Sequence, residues 1–450
     1  MIDANEIAGA LKLPCVISGE MQTAMHLWED AYRNKAAWQK HRVRSLRLPS
    51  VICKEIKRLT LKEFTAQVSD TGLDDVVQRM LPMLRRRLDY ALAMGGLLFK
   101  PYWTPAGLQT DLVTQNEFLP LHYTDDRCTG IACPETITVG KTSYTRVEVH
   151  VYDETARTHT IDNYCFRSDS PAFLGVLCSL TEVDQWAKIL PHKVFPGVSS
   201  PLFAVFQVPD SNSVDPESPL GISCFADAID DIRDADIQWE RILWELESSE
   251  RAIDASEDLF RFREGQPVLP KGRERMFRTF STNPNTSSGI FETFSPEIRD
   301  VSQFNALNEM LRRVENNCGL SYGTLSRVDT TDKTAEEILS SKQRSYDRVS
   351  DIQAALRTAL EGTVQAMQFL RDHYENQPRA GAALTCTFGD GVFEDADKEY
   401  SRRMQMVTAG LLSKVEFLMW YFDCDEKTAR QMLPETESLF SGSDMPSLLS

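Results

Sequence analysis

An α+β architecture is predicted, because helical and strand periodicities fall in separate blocks along the chain instead of alternating. Three observations carry this. The first hundred residues are helix-patterned, residues 97–210 alternate with period two, and two long helical stretches flank a short basic insert. The 450 residues are 42% hydrophobic and 26% charged, a folded composition with room for two or three domains.

In the first block, "LDDVVQRMLPMLRRRLDYALAMGG" places Val76, Val77, Met80, Leu84, Leu88 and Ala91 on one helical face. Gly95 and Gly96 stop that helix, and Pro82 marks a kink point. The strand block follows: "LLFKPYW", "GLQTDLV", "YTRVEVHVY" and "HTIDNYCF" alternate side chains, with "DETART" as a turn.

Pro216, Pro219 and Gly221 punctuate the entry to an acidic helix. Residues 221–260 hold twelve Asp or Glu against Arg233, Arg241 and Arg251, so this segment carries more than half of the net charge of −17. A continuous helix over 223–259 is expected, about 50 Å long. Phe225, Ile229, Ile232, Trp239, Leu243 and Leu246 form its apolar stripe, interrupted by Asp236.

The charge then reverses. Between Arg261 and Arg278 six basic residues (Arg261, Arg263, Lys271, Arg273, Arg275 and Arg278) face only Glu264 and Glu274, and Gly and Pro break the insert into short strands and turns. A second helix over about 302–318 stops at Gly319, and a loop, Leu320–Lys333, follows. The long helix beyond it opens on a capping box of Thr334 and Glu337. Its buried face is Ile338, Val349, Ile352, Leu356, Leu360, Val364 and Met367, with Gly362 as the expected bend. A strand, "LTCTFGD", and short helices from Asp395 onward complete the chain. The helices flanking the insert run antiparallel if the insert sits at their far end, which makes a stalk with a tip.

Catalytic signatures are missing from the sequence: it has no GxxxxGK[ST], GxGxxG or HExxH. His150 and His159 face each other across a hairpin, as a cross-strand pair or a metal site. Cys128 and Cys133 have the wrong spacing for a zinc knuckle. Asp390, Asp395 and Asp397 do not follow an EF-hand, and helix capping explains Asp395. No enzyme, cofactor or metal is expected. The ten cysteines lack a repeated CxxC, which suits reduced thiols in a cytosolic setting. No signal pattern opens the chain, and its longest apolar stretch is too short for a bilayer. The acidic balance argues against a sequence-independent grip on nucleic acid or an anionic membrane. It leaves room for a protein that handles DNA without holding it. Taken alone, the acidic helix reads as a solvated face, the usual fate of a charge run.

Five strings in order resemble the portal proteins of tailed double-stranded-DNA bacteriophages, of the siphovirus type. They are "LAMGGLLFKPYW", "RVEVHVYDETARTHTIDNYCF", "PLFAVFQVPDSNSVDPESPLGISCFADAIDDIRDAD", "GLSYGTLSRVDTTDKTAEEILSSKQRSYDRVSDIQAAL" and "FGDGVFEDADKEYSRRMQMVTAGLLSK". The resemblance spans roughly residues 80–430. "KTAEE" departs from the Thr-Ala-Thr-Glu common in related portals but keeps the capping box.

The resemblance implies a portal fold assembled as a ring of about twelve subunits at one capsid vertex. Its parts would be a β-rich wing (1–222), stem helices (223–259 and 303–318), a small α/β clip (260–302), a tunnel loop (319–333), a long wing helix with its strand (334–390) and a helical crown (391–450). Asp227, Asp230, Asp231, Asp234, Glu240, Glu245, Glu247 and Glu250 would line the channel. Arg233, Arg241 and Arg251 would bridge to acids of the adjacent subunit. Ser326, Arg327, Asp329, Asp332 and Lys333 would lie in the tunnel loop, and the six basic clip residues would dock partners or touch phosphates. The implied partners are copies of the chain, the terminase packaging motor, a head–tail adaptor, major capsid and scaffolding proteins, and double-stranded DNA in transit, with no membrane. The implied location is the virion, and the host cytoplasm during assembly. The alternative is a ring-forming vertex scaffold or head–tail adaptor without DNA passage.

Overall fold

The computed structural model describes residues 4–39, 43–125, 127–250, 299–327, 335–379, 381–389, 396–422 and 426–431, and five short strands within 252–294. It is a mixed α/β structure in two units, 1–388 and 389–450.

The first unit opens with α1 (Ala4–Leu11), α2 (Gly19–Tyr32), α3 (Leu48–Thr60), β1 (Thr65–Val68) and α4 (Thr71–Met94). Asp70 caps α4 by accepting from the Leu73 amide, and Pro82 is accommodated inside it. The helix ends where expected, on Gly95 in the left-handed region at φ +89°.

Nine strands follow: β2 (Gly96–Thr104), β3 (Gly107–Thr114), β4 (Leu119–Thr124), β5 (Arg127–Val139), β6 (Thr142–Asp153), β7 (Thr158–Ser168), β8 (Val176–Cys178), β9 (His192–Pro196) and β10 (Ala204–Gln207). They make two antiparallel sheets. One is ordered β10-β2-β3, and the other β4-β5-β6-β7-β8 with β9 also on β7. Along β6 buried and half-buried residues alternate, as the period-two pattern requires.

The acidic helix is shorter than its charge pattern suggests. A 3-10 turn over Ala226–Ala228 precedes α5 (Ile229–Ser248), whose 20 residues span about 30 Å instead of 50 Å. At its end the Ser248 and Ser249 hydroxyls turn back to the Glu245 carbonyl, at 3.1 and 2.6 Å, offering the backbone a local alternative to further helix. The chain then enters β11 (Ala252–Ser256), where β-branched Ile253 sits in register with Phe277 and Thr293.

The insert is β-built among its described residues. Besides β11 it contains β12 (Phe262–Arg263), β13 (Gln266–Pro267), β14 (Phe277–Phe280) and β15 (Phe291–Phe294). β11 lies between β14 and β15, and β12 pairs with β13. α6 (Asp300–Asn317) returns antiparallel to α5: Glu245 meets Arg299 at one end, and Asp231 meets Arg313 and Asn317 at the other.

α7 (Ala335–Glu375) buries Val349, Ile352, Leu356, Leu360, Val364 and Met367, the face read from the sequence. Thr334 and the side chains of Glu337 and Ile338 lie outside the described residues. Gly362 does not break the helix. A Cβ added there would stand 3.2 Å from the Ala204 Cβ, so the glycine lets α7 lie close on β10. β16 (Leu384–Thr387) then pairs antiparallel with β1.

The second unit holds α8 (Ala396–Thr408), α9 (Lys414–Phe422) and α10 (Glu426–Gln431). Arg403 lies 4.4 Å from the Trp420 ring centroid, and Phe417 stacks on Tyr421.

One apolar core joins α2, α3, α4, β2, β3, α7, the start of α5 and the end of α6. At its centre two glycines meet. A Cβ on Gly95 would lie 2.3 Å from the Gly221 carbonyl oxygen, and one on Gly221 2.2 Å from that of Gly95. Gly95→Ala is therefore expected to cost more than about 2 kcal/mol in urea unfolding, from left-handed strain plus backbone overlap. Gly362→Ala, which meets a single methyl and gains helix propensity, should stay within about 1 kcal/mol.

Candidate functional site

The stalk is the candidate site. Its eight acids fall into two groups once α5 is packed. Asp231 is held by Arg313 Nε (3.1 Å) and Asn317 Nδ2 (2.8 Å) of α6. Glu245 takes a bidentate pair from Arg299, at 3.2 and 2.9 Å. Glu240 accepts the Arg44 amide at 3.1 Å. These three are structural ties within one chain, not free lining groups. Asp227 stays exposed while accepting from Ser213 Oγ. Asp230 and Asp234 are outward-facing, the side chain of Asp230 being 79% exposed, and Glu247 and Glu250 are exposed too.

Arg233 pairs with Asp230 (2.9 Å) and Asp234 (3.4 Å) of its own helix, which relieves repulsion within the subunit. Arg241 is exposed beside them, and Arg251 lies outside the described residues. Acids in the first turn also suit the helix dipole.

Asp236 does not interrupt the apolar stripe; it anchors it. Fully buried, it accepts from Trp38 Nε1 (3.1 Å), Gln39 Nε2 (3.2 Å) and the Leu46 amide (2.8 Å), strapping these three residues onto the stalk. Of the predicted stripe, Phe225 and Ile232 are buried, Ile229, Trp239 and Leu243 are half-buried and Leu246 is exposed; Ile242, outside that stripe, is buried, and the neighbouring Trp244 is exposed. At the same end of the antiparallel pair, Val301 and Phe304 of α6 are exposed as well. This half of the stalk therefore presents four large apolar side chains to solvent.

The loop after α6 folds back on that helix. Glu315, buried at the end of α6, accepts from the Gly323, Leu325 and Ser326 amides and from Ser326 Oγ. Asn308 holds the Arg327 amide at 2.7 Å, and Arg312 pairs with Glu309 and the Tyr322 hydroxyl. Ser326 is thus a buried anchor and not a lining residue, while Arg327 is exposed. Asp329, Asp332 and Lys333 lie outside the described residues, as do Arg261, Lys271, Arg273 and Arg275. Arg263 falls on β12 and Arg278 on β14, with side chains outside the description. Asp236 and Glu315 were not legible as anchors in the sequence, where each is one acid among many.

The histidine pair is a sheet network. His150 Nδ1 lies 3.0 Å from His159 Nε2, a diagonal pair two residues off the direct cross-strand position and on the same face. The Leu202 amide donates to His159 Nδ1 at 3.4 Å, so His159 Nε2–H donates to His150, and His150 Nε2–H to Glu148 at 2.7 Å. Glu148 also holds Lys100 at 3.0 Å and Arg146 at 2.8 Å. Burial opposes ionisation of Glu148, yet Lys100, His150 and Arg146 hold its carboxyl well below the usual range. Burial pushes the Lys100 amine down, and Glu148 more than reverses this to a net rise. Burial, then the His150 neighbour, keeps His159 well below the ordinary histidine value. No group of three or more ligating side chains suited to a metal ion occurs among the described residues. Nor is any described helix long and apolar enough to cross a membrane.

No protein-family model and no curated protein matches the chain. Among solved structures, a chain in the virion of a native gene transfer agent particle is similar at TM-score 0.43 and 13% identity, covering 93% of this chain and 98% of that one. A chain in the neck of an empty gene transfer agent particle is similar at TM-score 0.43 and 11% identity, covering 94% and 98%. Similarity of this degree assigns nothing, and the chain's own residues carry the reading that follows.

Two outcomes are expected from these contacts. Asp236→Ala and Glu315→Ala, each leaving at least three donors without their acceptor, should cost about 2–4 kcal/mol in urea unfolding, and Glu315→Ala should also speed proteolysis within 320–327. For pH, an unfolded histidine takes a proton near about 6.5, whereas folded His159 resists it. Stability should therefore fall as pH drops below that value, by up to about 1.4 kcal/mol per unit from this group. His159→Gln should flatten the urea midpoint between pH 6.5 and 5, with the Glu148 loss still following at lower pH.

Proposed function

We propose that the chain assembles with copies of itself into a closed ring whose α5–α6 stalks surround a central channel. Within that class, the reading supported best is a bacteriophage portal protein of about twelve subunits at one capsid vertex. It would be the conduit for packaging and ejecting double-stranded DNA, and the platform on which a packaging motor and a head–tail adaptor dock.

One observation carries this reading: a single stalk leaves carboxylates outward along its length (Asp227, Asp230 and Asp234 near the core, Glu247 and Glu250 towards the insert) and, in its insert-side half, large apolar side chains outward as well (Trp244, Leu246, Val301, Phe304). Exposed Trp and Phe on a helix pair call for cover. A head-to-tail ring that closes gives every copy the same cover. Outward carboxylates then suit a wall that must not bind its cargo. Duplex DNA carries a charge about every 1.7 Å, and repulsion acts over a Debye length of about 8–10 Å. The basic insert is assigned to acidic surfaces of the motor or adaptor. Catalysis is assigned to the separate motor, and no step of it to this chain. The nearest competing reading, a vertex scaffold or adaptor without DNA passage, shares the ring and differs in the channel.

Negative-stain electron microscopy with native mass on the same sample tests this. Rings of about a dozen copies with a hole wide enough for a duplex are expected. A protein that stays monomeric at every salt and protein concentration, with capsid partners added, would sink the reading; a ring with a closed centre would favour the scaffold. Trp244→Glu with Phe304→Glu should abolish the ring without unfolding the monomer. Asp230→Lys with Asp234→Lys should keep the ring but raise retention of a DNA fragment at least tenfold at low salt, with the gain lost at high salt.

A further inference from the structure

Two thiol pairs stand close in this chain, and they differ in their surroundings. Cys53 and Cys224 lie 3.5 Å apart, both fully enclosed in the main core. Cys165 and Cys178 lie 3.3 Å apart on β7 and β8. The second pair is at the rim of the wing sheet: β8 is a three-residue edge strand whose Val176 and Leu177 are exposed, and Cys178 is half-buried.

Cys165 and Cys178 are also direct register partners in an antiparallel pair. Residues so placed have Cα atoms about 4.5–5.5 Å apart, inside the range of about 4.4–6.8 Å that a disulfide spans. Side-chain rotation alone brings the sulfurs together. The turn that sets this register is specific: Gly175 has φ +80°, and a Cβ there would lie 2.1 Å from the Arg167 carbonyl oxygen. A glycine is needed for β8 to reach β7 at all, and reaching it aligns the two thiols.

We propose that Cys165 and Cys178 form a cross-strand disulfide when the protein meets a small-molecule disulfide oxidant, fastening the edge strand β8 to the wing sheet. The half-buried Cys178 thiolate attacks one sulfur of oxidised glutathione and releases one glutathione thiolate. Cys165, buried behind it, gives its proton to the departing glutathione thiolate and attacks the Cys178 sulfur, releasing the second glutathione. Two protein thiols are oxidised and one glutathione disulfide is reduced to two thiols. Burial pushes the Cys165 thiol up to about 12 and raises Cys178 as well, so the reaction is slow near neutrality and quickens with pH. The Cys53–Cys224 pair, as close but sealed from the oxidant, stays reduced in the folded chain. This inference stands apart from the ring reading, since β7 and β8 belong to one subunit.

The test uses the full chain, freshly reduced, then incubated with oxidised glutathione at pH 7, 8 and 9, denatured, alkylated and digested with trypsin without reductant. Cleavage after Arg167 separates the two cysteines, so the disulfide reads out as a cross-link between peptides 158–167 and 168–188. Expected are that cross-link, faster formation at each higher pH, alkylated Cys53 and Cys224, and no cross-link in Cys178→Ser. Closing a loop across 13 positions should also slow hydrogen exchange of the β8 amides roughly a hundredfold. Free, alkylated Cys165 and Cys178 after prolonged oxidation would overturn the proposal. So would a lasting glutathione adduct on Cys178, or cross-links scattered equally over the other cysteines.

Discussion

The close approach of Gly95 to Gly221 is the constraint on which the rest of this structure depends. It lets the chain leave the strands β2–β10, pass the end of α4 and begin the stalk from inside the core. The neighbouring bonds follow from it: the Val208 amide reaches the Gly95 carbonyl, the Cys224 amide reaches Leu92, and Gln115 Nε2 reaches the Gly221 carbonyl. Arg348 of α7 then closes the junction from outside, donating to Asp210 (2.6 Å) and to the Cys224 carbonyl (3.2 Å). Its stem also lies against Gly319, where an added Cβ would come within 2.8 Å of Cδ. Entry to the stalk at 224 and exit from it at 319 are thus held by one side chain. A side chain on either central glycine would force backbones apart, and a packed interior has little slack to absorb that.

The division of labour among the acids follows from burial and not from sequence. Fourteen residues, Asp227 to Glu240, hold both exposed carboxylates and Asp236, which has no solvent exposure. A buried carboxylate is tolerated when donors surround it, and Asp236 has three. Those donors sit at positions 38, 39 and 46, about two hundred residues away in sequence. Local charge counting treats Asp236 as a break in an apolar stripe, because it cannot see a strap arriving from the N-terminal region. Glu315 is the same case, since its partners are loop amides that become donors only once Leu320–Ser326 has folded back.

Much else was legible. Period-two alternation located β2, β3, β6 and β7, and period 3.6 gave the buried faces of α4 and α7, because each of these packs one face on a continuous core. What the periodicity missed were terminations. A glycine at the end of α4 was readable, since the left-handed position there demands it. The end of α5 was not: residues 249–256 keep a helical charge pattern, but pairing of β11 with β14 and β15 brings it into a sheet. Gly362 misled in the opposite direction. Its intrinsic helix penalty is real, yet the helix runs on through it, and contact with β10 gives the glycine a role in close packing.

The stalk divides its own surface by the same physics. Near the core, α5 and α6 are joined by Asp231 with Arg313 and Asn317 and are sealed by Phe225, Ile232 and Val314. Towards the insert the Glu245–Arg299 pair and the Gln238–Gln303 contact tie the helices, while Trp244, Leu246, Val301 and Phe304 lie open. A two-helix hairpin of about 30 Å cannot enclose both faces of two amphipathic helices. The half rooted in the core is covered by it, and the far half has no such neighbour within the described residues of its own chain. If copies stand side by side, each supplies the missing cover to the next, and stability of the far half becomes a property of the assembly and its concentration. The same geometry sets which charges face outward: carboxylates engaged by α6 are spent on the hairpin, and those on its outer side, Asp227, Asp230, Asp234, Glu247 and Glu250, face whatever lies beyond it.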